Sequence, residues 1–91
     1  MKQLRYTGRY KKDLKRFLNQ PKKLQALNDV LDMLRREIPL PEKYRLHELQ
    51  GDYVGCFECH IEGDFLLIWF DEESDTIALF RLGSHSELFR K

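Results

Sequence analysis

Phe65-Leu66-Leu67-Ile68-Trp69-Phe70, with Ile77-Ala78-Leu79-Phe80 close behind, is the stretch whose reading decides the fold. Both runs are short, almost continuously apolar and bounded by turn signals, Gly63-Asp64 before the first and Asp71 to Asp75 between the two. Runs of this kind read as central strands with one face under helices. Upstream, Tyr44 to Leu49 and Tyr53 to Ile61 are separated by Gly51-Asp52, and Thr76 to Leu82 completes the series. Turn signals at such regular spacing predict an antiparallel meander.

Ahead of the meander, Leu4 to Thr7 reads as a short first strand. Tyr10, Leu14, Phe17 and Leu18 recur at helical spacing between Arg9 and Asn19, with Lys11, Lys12, Lys15 and Arg16 on the other faces. Pro21 suits the first turn of a second helix, whose apolar face runs through Leu24, Leu27, Leu31, Leu34 and Ile38 until Pro39 and Pro41 stop it. Arg35 and Arg36 fall in its last turn, where cations complement the helix dipole. The expected architecture is α+β: two N-terminal antiparallel helices on a small antiparallel sheet, with a short C-terminal helix. Residues 1–91 read as one domain without repeats or linkers. No apolar run approaches a membrane span, and Met1 to Tyr6 has no signal-peptide core, so a cytoplasmic protein is expected.

The net charge of +1 conceals a division. Residues 1–45 carry thirteen Lys/Arg against five acids, a surplus of eight, whereas residues 46–91 carry three against ten, a deficit of seven. A basic half suits either a polyanion partner or simply solvated helix faces. Cys56-Phe57-Glu58-Cys59-His60 matches the c-type haem attachment pattern, but such attachment calls for an exported chain. On a strand, positions i and i+3 face opposite sides about 10 Å apart, which also excludes a disulfide. Two free thiols are expected, with neither metal nor cofactor.

Arg81-Leu82-Gly83-Ser84-His85-Ser86-Glu87-Leu88-Phe89 gathers a cation, an imidazole and an aromatic ring. Ser84 and Glu87 have capping-box spacing, which places His85 in the first turn of a short helix. A helix start attracts anions, so the run reads either as a well-capped final helical turn or as one wall of an active site beside a phosphate. His47 and His60 lie in the same half of the chain, and hairpin geometry allows strand ends to meet at one edge. Each histidine taken alone also suits a structural role.

Tyr44-Arg45-Leu46-His47-Glu48-Leu49-Gln50-Gly51, Glu58-Cys59-His60-Ile61-Glu62-Gly63-Asp64-Phe65-Leu66-Leu67-Ile68 and the Arg81 to Phe89 run together resemble the YafQ branch of the RelE-like bacterial toxins over nearly the full chain. The resemblance implies a RelE-like fold and a toxin of a type II toxin–antitoxin pair that cleaves messenger RNA on the ribosome. The implied partners are an antitoxin protein, the ribosome and mRNA. The positions that match the family's functional residues are His47, His60, Asp64, Arg81, His85 and Phe89. Phe65 stands where some relatives have Trp, and Gly63 replaces a common Pro.

RNA can be cut without metal when a base removes the 2′-OH proton, that oxygen attacks the adjacent phosphate, and an acid protonates the leaving 5′-oxygen. Imidazoles suit both proton transfers, each worth roughly 10²- to 10⁴-fold. On this reading His85 is the acid, His60 with Asp64 forms the base side and His47 assists, although acid and base are interchangeable. Arg81 stabilises the phosphorane, and Phe89 and Phe65 stack on an unpaired base. Lys11, Lys12, Lys15, Arg16, Lys22 and Lys23 would contact RNA backbone. The alternatives are a non-enzymatic ParE-like toxin, an RNA-binding regulator without turnover, and a metal-dependent nuclease using the three histidines and Asp64.

Overall fold

The two apolar runs form the middle of a five-stranded sheet in a computed structural model that describes residues 1–73 and 75–89. The elements follow one another as β1 (Gln3–Tyr6), α1 (Gly8–Leu14), α2 (Pro21–Arg35), β2 (His47–Glu48), β3 (Phe57–Glu62), β4 (Phe65–Glu73), β5 (Thr76–Gly83) and α3 (His85–Leu88). The strand order is β1-β5-β4-β3-β2. The strands β2 to β5 form the expected antiparallel meander. β1 instead joins β5 in parallel, from Gln3 opposite Thr76 to Tyr6 opposite Leu79, so the sheet is mixed rather than wholly antiparallel. The turn expected over residues 71–75 shrinks because β4 continues to Glu73; Ser74 lies outside the described residues.

Side-chain alternation explains why β4 is apolar throughout. Phe65, Leu67 and Trp69 join Tyr10, Phe17, Leu27 and Val30 of the helical layer in one core cluster. Leu66 and Ile68 pack with Cys56, Leu88, Tyr53, Phe70, Phe80 and Phe89 in a second. Both faces of the central strand are therefore covered. Cys56 and Cys59 are free and buried, one in each cluster. Burial pushes the Cys59 thiol up to about 12 and that of Cys56 upward.

Helix and strand limits differ from expectation where backbone geometry intervenes. Thr7 Oγ1 accepts the Tyr10 N–H at 3.1 Å and starts α1, but Lys15–Phe17 tightens into a 3₁₀ turn. That change buries Phe17 and leaves Leu18 61% exposed. α2 begins at Pro21 and ends before the prolines: the Glu37 N–H bonds to Leu34 O and the Ile38 N–H to Met33 O, with Glu37 at φ 60°. This is a Schellman ending, and it excludes Ile38 from the helix. The strand expected at Tyr44 to Leu49 is reduced to two residues because Glu42–Tyr44 forms a 3₁₀ turn and Arg45 is left-handed at φ 50°. The strand expected from Tyr53 starts only at Phe57, after a second 3₁₀ turn (Gly51–Tyr53) and Gly55 at φ 90°.

Two features of β5 position the site. Ile68 of β4 faces Arg81 whereas Trp69 faces Leu79, so Phe80 is an extra residue and the strand bulges there. Bulges re-aim neighbouring side chains, and here Leu82 turns into the helix-side core. Asp13 of α1, 3% exposed, accepts from Arg81 Nε at 2.7 Å, Arg81 Nη2 at 3.3 Å and the Leu82 N–H at 3.0 Å. Removing one partner of such a buried pair strands the other. Asp13→Ala should therefore cost about 3–5 kcal/mol of stability, measured by urea unfolding; a loss below about 1 kcal/mol would show that Arg81 finds other partners.

Candidate active site

The three histidines come from different elements and meet at one edge of the sheet. β2 pairs with β3 so that His47 lies opposite Glu58, and His60 follows two residues along the same strand. The left-handed Arg45 brings its carbonyl to His47 Nδ1 at 2.8 Å. A carbonyl only accepts, so Nδ1 carries a hydrogen and Nε2 faces the site.

His85 is delivered by α3, which has the expected capping box. Ser84 Oγ accepts the Glu87 N–H at 3.2 Å, and Glu87 Oε1 accepts the Ser84 N–H at 2.8 Å. The first free N–H of the helix, that of His85, donates to Asp64 Oδ1 at 3.0 Å, and His85 Nδ1 lies 3.0 Å from the same oxygen. The anion expected at this helix start is thus Asp64 itself. These His85 contacts, the backbone hydrogen bond foremost, hold the Asp64 carboxyl below its ordinary value. An ionised carboxylate accepts only, so His85 Nδ1 donates and its Nε2 faces away from Asp64.

Ring centroids run His47 to His60 at 6.3 Å, His60 to His85 at 5.5 Å and His85 to Phe89 at 5.6 Å. Four of the expected site residues therefore form one row, with Asp64 beside its third ring. Asp64 serves His85, not His60 as expected, because the β3–β4 turn carries it under α3. The carboxylate at the other end is Glu58, 1% exposed, with Oε1 at 3.2 Å from His47 Nε2 and 3.6 Å from His60 Nε2. Its Oε2 has no hydrogen-bond partner among the described residues. The sequence reading passed over Glu58, although its i, i+2 relation to His60 puts both on one strand face.

Arg81 is not an open cation beside His85. Its guanidinium is forked onto Asp13 and reaches Tyr53 Oη at 3.5 Å. Phe65 is 1% exposed, packed on Phe17 with ring centroids 4.8 Å apart and under Lys23 Nζ; it belongs to the core and offers no face to a base. Of the six basic helix residues, Arg16 is held by Asp13 and Glu87, and Lys23 by Glu62. Lys11, Lys12, Lys15 and Lys22 are exposed and have no ion-pair partner among the described residues. The donors that could hold a metal ion differ from the three histidines and Asp64 of the metal-dependent alternative. Glu58, His60 and His85 each offer one donor atom, all within 4.8 Å of one another.

Residues 2–90 match the family model described as the bacterial toxin of type II toxin–antitoxin system, YafQ. The chain belongs to the YafQ family. It is 34% identical over 88 residues to the mRNA interferase toxin YafQ of Escherichia coli K12, covering 94% of each chain. The fold is similar to that of a metal-bound toxin from Helicobacter pylori, at 38% identity and a TM-score of 0.86, covering 98% of this chain and 100% of that one. It is also similar to YafQ in the E. coli DinJ–YafQ toxin–antitoxin complex, at 31% identity and a TM-score of 0.83 over 97% of both chains. As in its family, the α+β fold ends in a short C-terminal helix that here carries His85.

Two outcomes are expected from this YafQ-type edge. Because the Asp64 carboxyl is held low, its contribution to docking α3 is present above the unfolded value near pH 4 and is lost as pH falls through the folded value. An NMR titration should show the His85 amide shifting in that acid window; a flat His85 amide would disprove the contact. Gly83 has φ 156°, and a Cβ there would lie 2.7 Å from Glu87 Oε1. Gly83→Ala should cost about 1–3 kcal/mol in urea unfolding and speed His85 amide exchange, since Glu87 must leave its cap; unchanged exchange would show that the cap accommodates the methyl.

Proposed function

We propose that this chain is a ribosome-dependent mRNA interferase that cleaves by metal-independent acid/base chemistry. The observation that carries the reading is the row His47–His60–His85–Phe89 with a carboxylate beside each end of the imidazole series. Two imidazoles 5.5 Å apart can serve the two oxygens of one phosphodiester. His60 takes the proton from the 2′-OH, O2′ bonds to phosphorus, the bond to O5′ breaks, and His85 donates its proton to that oxygen. The products are a 2′,3′-cyclic phosphate and a 5′-OH. Asp64 orients His85 by accepting from Nδ1, which leaves Nε2 for proton transfer. Glu58 holds His60 and His47 from behind. Arg81, forked onto Asp13, serves the site through Tyr53, whose hydroxyl bonds the Leu88 carbonyl of α3, and Phe89 stacks on the base at the cut.

The similarity to a YafQ bound by DinJ supports a protein antitoxin as partner. Exposed Lys11, Lys12, Lys15 and Lys22 fit ribosomal RNA phosphates without sequence readout. On this reading one domain, residues 1–91, acts in the cytoplasm; no helix among the described residues is long and apolar enough to cross a membrane.

His85→Ala and His60→Ala should each lower mRNA cleavage in a purified translation reaction by roughly 10²- to 10⁴-fold and abolish growth arrest. Arrest and cleavage that persist in both variants would exclude the catalytic assignment and favour a non-enzymatic ParE-like action or an RNA-binding regulator. Omitting ribosomes should remove the cleavage. The Glu58, His60 and His85 donors favour one second reading, a metal-assisted nuclease; activity surviving EDTA excludes it. Charge reversal at Lys11, Lys12 and Lys15 should weaken ribosome co-sedimentation, most at low salt, and unchanged association would sink that contact.

A further inference from the structure

We infer that a second nucleotide subsite adjoins the histidine row, with a base slot formed by Tyr53, Phe80 and Phe89 and a phosphate basin whose free cations are Arg9 and Lys12. The inference rests on the ribonuclease reading and names where the RNA continues beyond the cut. A groove of about 370 Å³ opens beside Phe89, lined by all three aromatic residues and Arg9, with Gln50 and Asp52 at its rim. A neighbouring hollow of about 280 Å³ is lined by Arg9, Lys12, Asp13, Arg16 and Arg81. Arg9 lines both and so stands between the slot and the hollow.

The aromatic rings meet edge to face and are not stacked on one another. Tyr53 meets Phe80 at 5.9 Å and 67°, and Phe89 at 5.4 Å and 79°. All three are half-buried. What lies over the Phe80 ring is the Arg9 guanidinium, 5.6 Å from its centroid. A planar cation on an aromatic face marks a place where a flat nucleobase gains the same stacking energy, and Arg9 sits on an exposed side chain free to swing onto an incoming phosphate. The slot's walls are set by backbone-linked contacts. Phe80 is the extra residue of the β5 bulge, and the Tyr53 hydroxyl donates to Leu88 O at 2.9 Å. The rim offers an amide and a carboxylate, groups that bond the exocyclic amines of bases.

The hollow next to the slot is strongly cationic. Its only acid, Asp13, is already neutralised by Arg81 and Arg16, so Arg9 and Lys12 remain for an anion. An aromatic slot beside a cationic basin is the pattern that binds single-stranded nucleic acid. Contact of the Phe89 ring with His85 at 5.6 Å makes the slot the position next to the scissile phosphate.

The test uses the full chain carrying His85→Ala, so that RNA is not consumed, and a fluorescein-labelled hexaribonucleotide read by anisotropy, alongside the same hexamer with one abasic sugar at each position in turn. Phe80→Leu, which keeps apolar volume, should weaken the intact hexamer about tenfold and leave the hexamer abasic at the slot position unaffected. Lys12→Ala should weaken both and lower the salt slope by about one. Arg9→Ala, an exposed change that spares the fold, should do both. Tyr53 and Phe80 ring resonances should shift on adding RNA. Parental affinity in both Phe80→Leu and Arg9→Ala overturns the subsite, as would ring resonances unmoved by bound RNA. Neither result touches the ribonuclease reading, which stands or falls on cleavage by the His60 and His85 variants.

Discussion

Asp13 lies where α1, β5 and the path to α3 converge, and it is the one acid in the helical layer shut away from water. Its carboxylate is matched by a two-pronged guanidinium and a backbone N–H. A buried ion pair adds little net stability over apolar packing, but it is directional in a way that leucines are not. Apolar faces tolerate sliding; a fork of hydrogen bonds does not. From Arg81 the polar chain passes to the Tyr53 hydroxyl and on to the Leu88 carbonyl, so the helix that carries His85 is located from the far side of the sheet. Arg16 adds a branch from Asp13 to the Glu87 of the cap.

The site separates structural from chemical duties. Ser84 and Glu87 satisfy the helix start between them, which leaves the His85 N–H for Asp64. With that carboxylate seated there, the α3 terminus has no attraction left for phosphate, and an RNA strand must find its counter-charge on side chains. Lys43 and Arg45 share a hollow with His60 and are cations beside the row. At the other end of the row, Glu58 brings negative charge into the sheet beneath two imidazoles. A carboxylate so placed is costly to bury without its partners.

Local signals carried much of this into the sequence. The continuous apolar run of residues 65–70, Pro21 at a helix start and the Ser84/Glu87 box each act within a few residues, and each recurs in the structure at its own position. The order of His47, His60 and His85 pointed to the site before their proximity was known. What stayed hidden depends on tertiary contacts or on single backbone dihedrals. Nothing local makes Arg45 or Glu37 left-handed, yet those residues set the length of β2 and the end of α2. The bulge at Phe80 is invisible to periodicity because it changes the phase of a run that is apolar on both sides. Phe65 reads as a binding aromatic because it stands where some relatives have Trp, and strand alternation sends it inward. Glu58 was overlooked because a charged residue in a strand reads as solvent-facing until its neighbours are known.

The pairing of β1 with β5 joins residues more than seventy positions apart, from Gln3 and Thr76 to Tyr6 and Leu79. Pairings of such long range form late, after a large loop-closure cost. Until β5 arrives, α1 holds an acid with no guanidinium to meet it, and a half-built helical layer around a bare carboxylate is penalised. Partial structures are thereby disfavoured and folding becomes close to all-or-none. His85 directly follows β5, so the imidazole row is completed only as the sheet closes. A chain caught partway would hold no assembled site, and whatever harm it can do to a cell begins only when folding finishes.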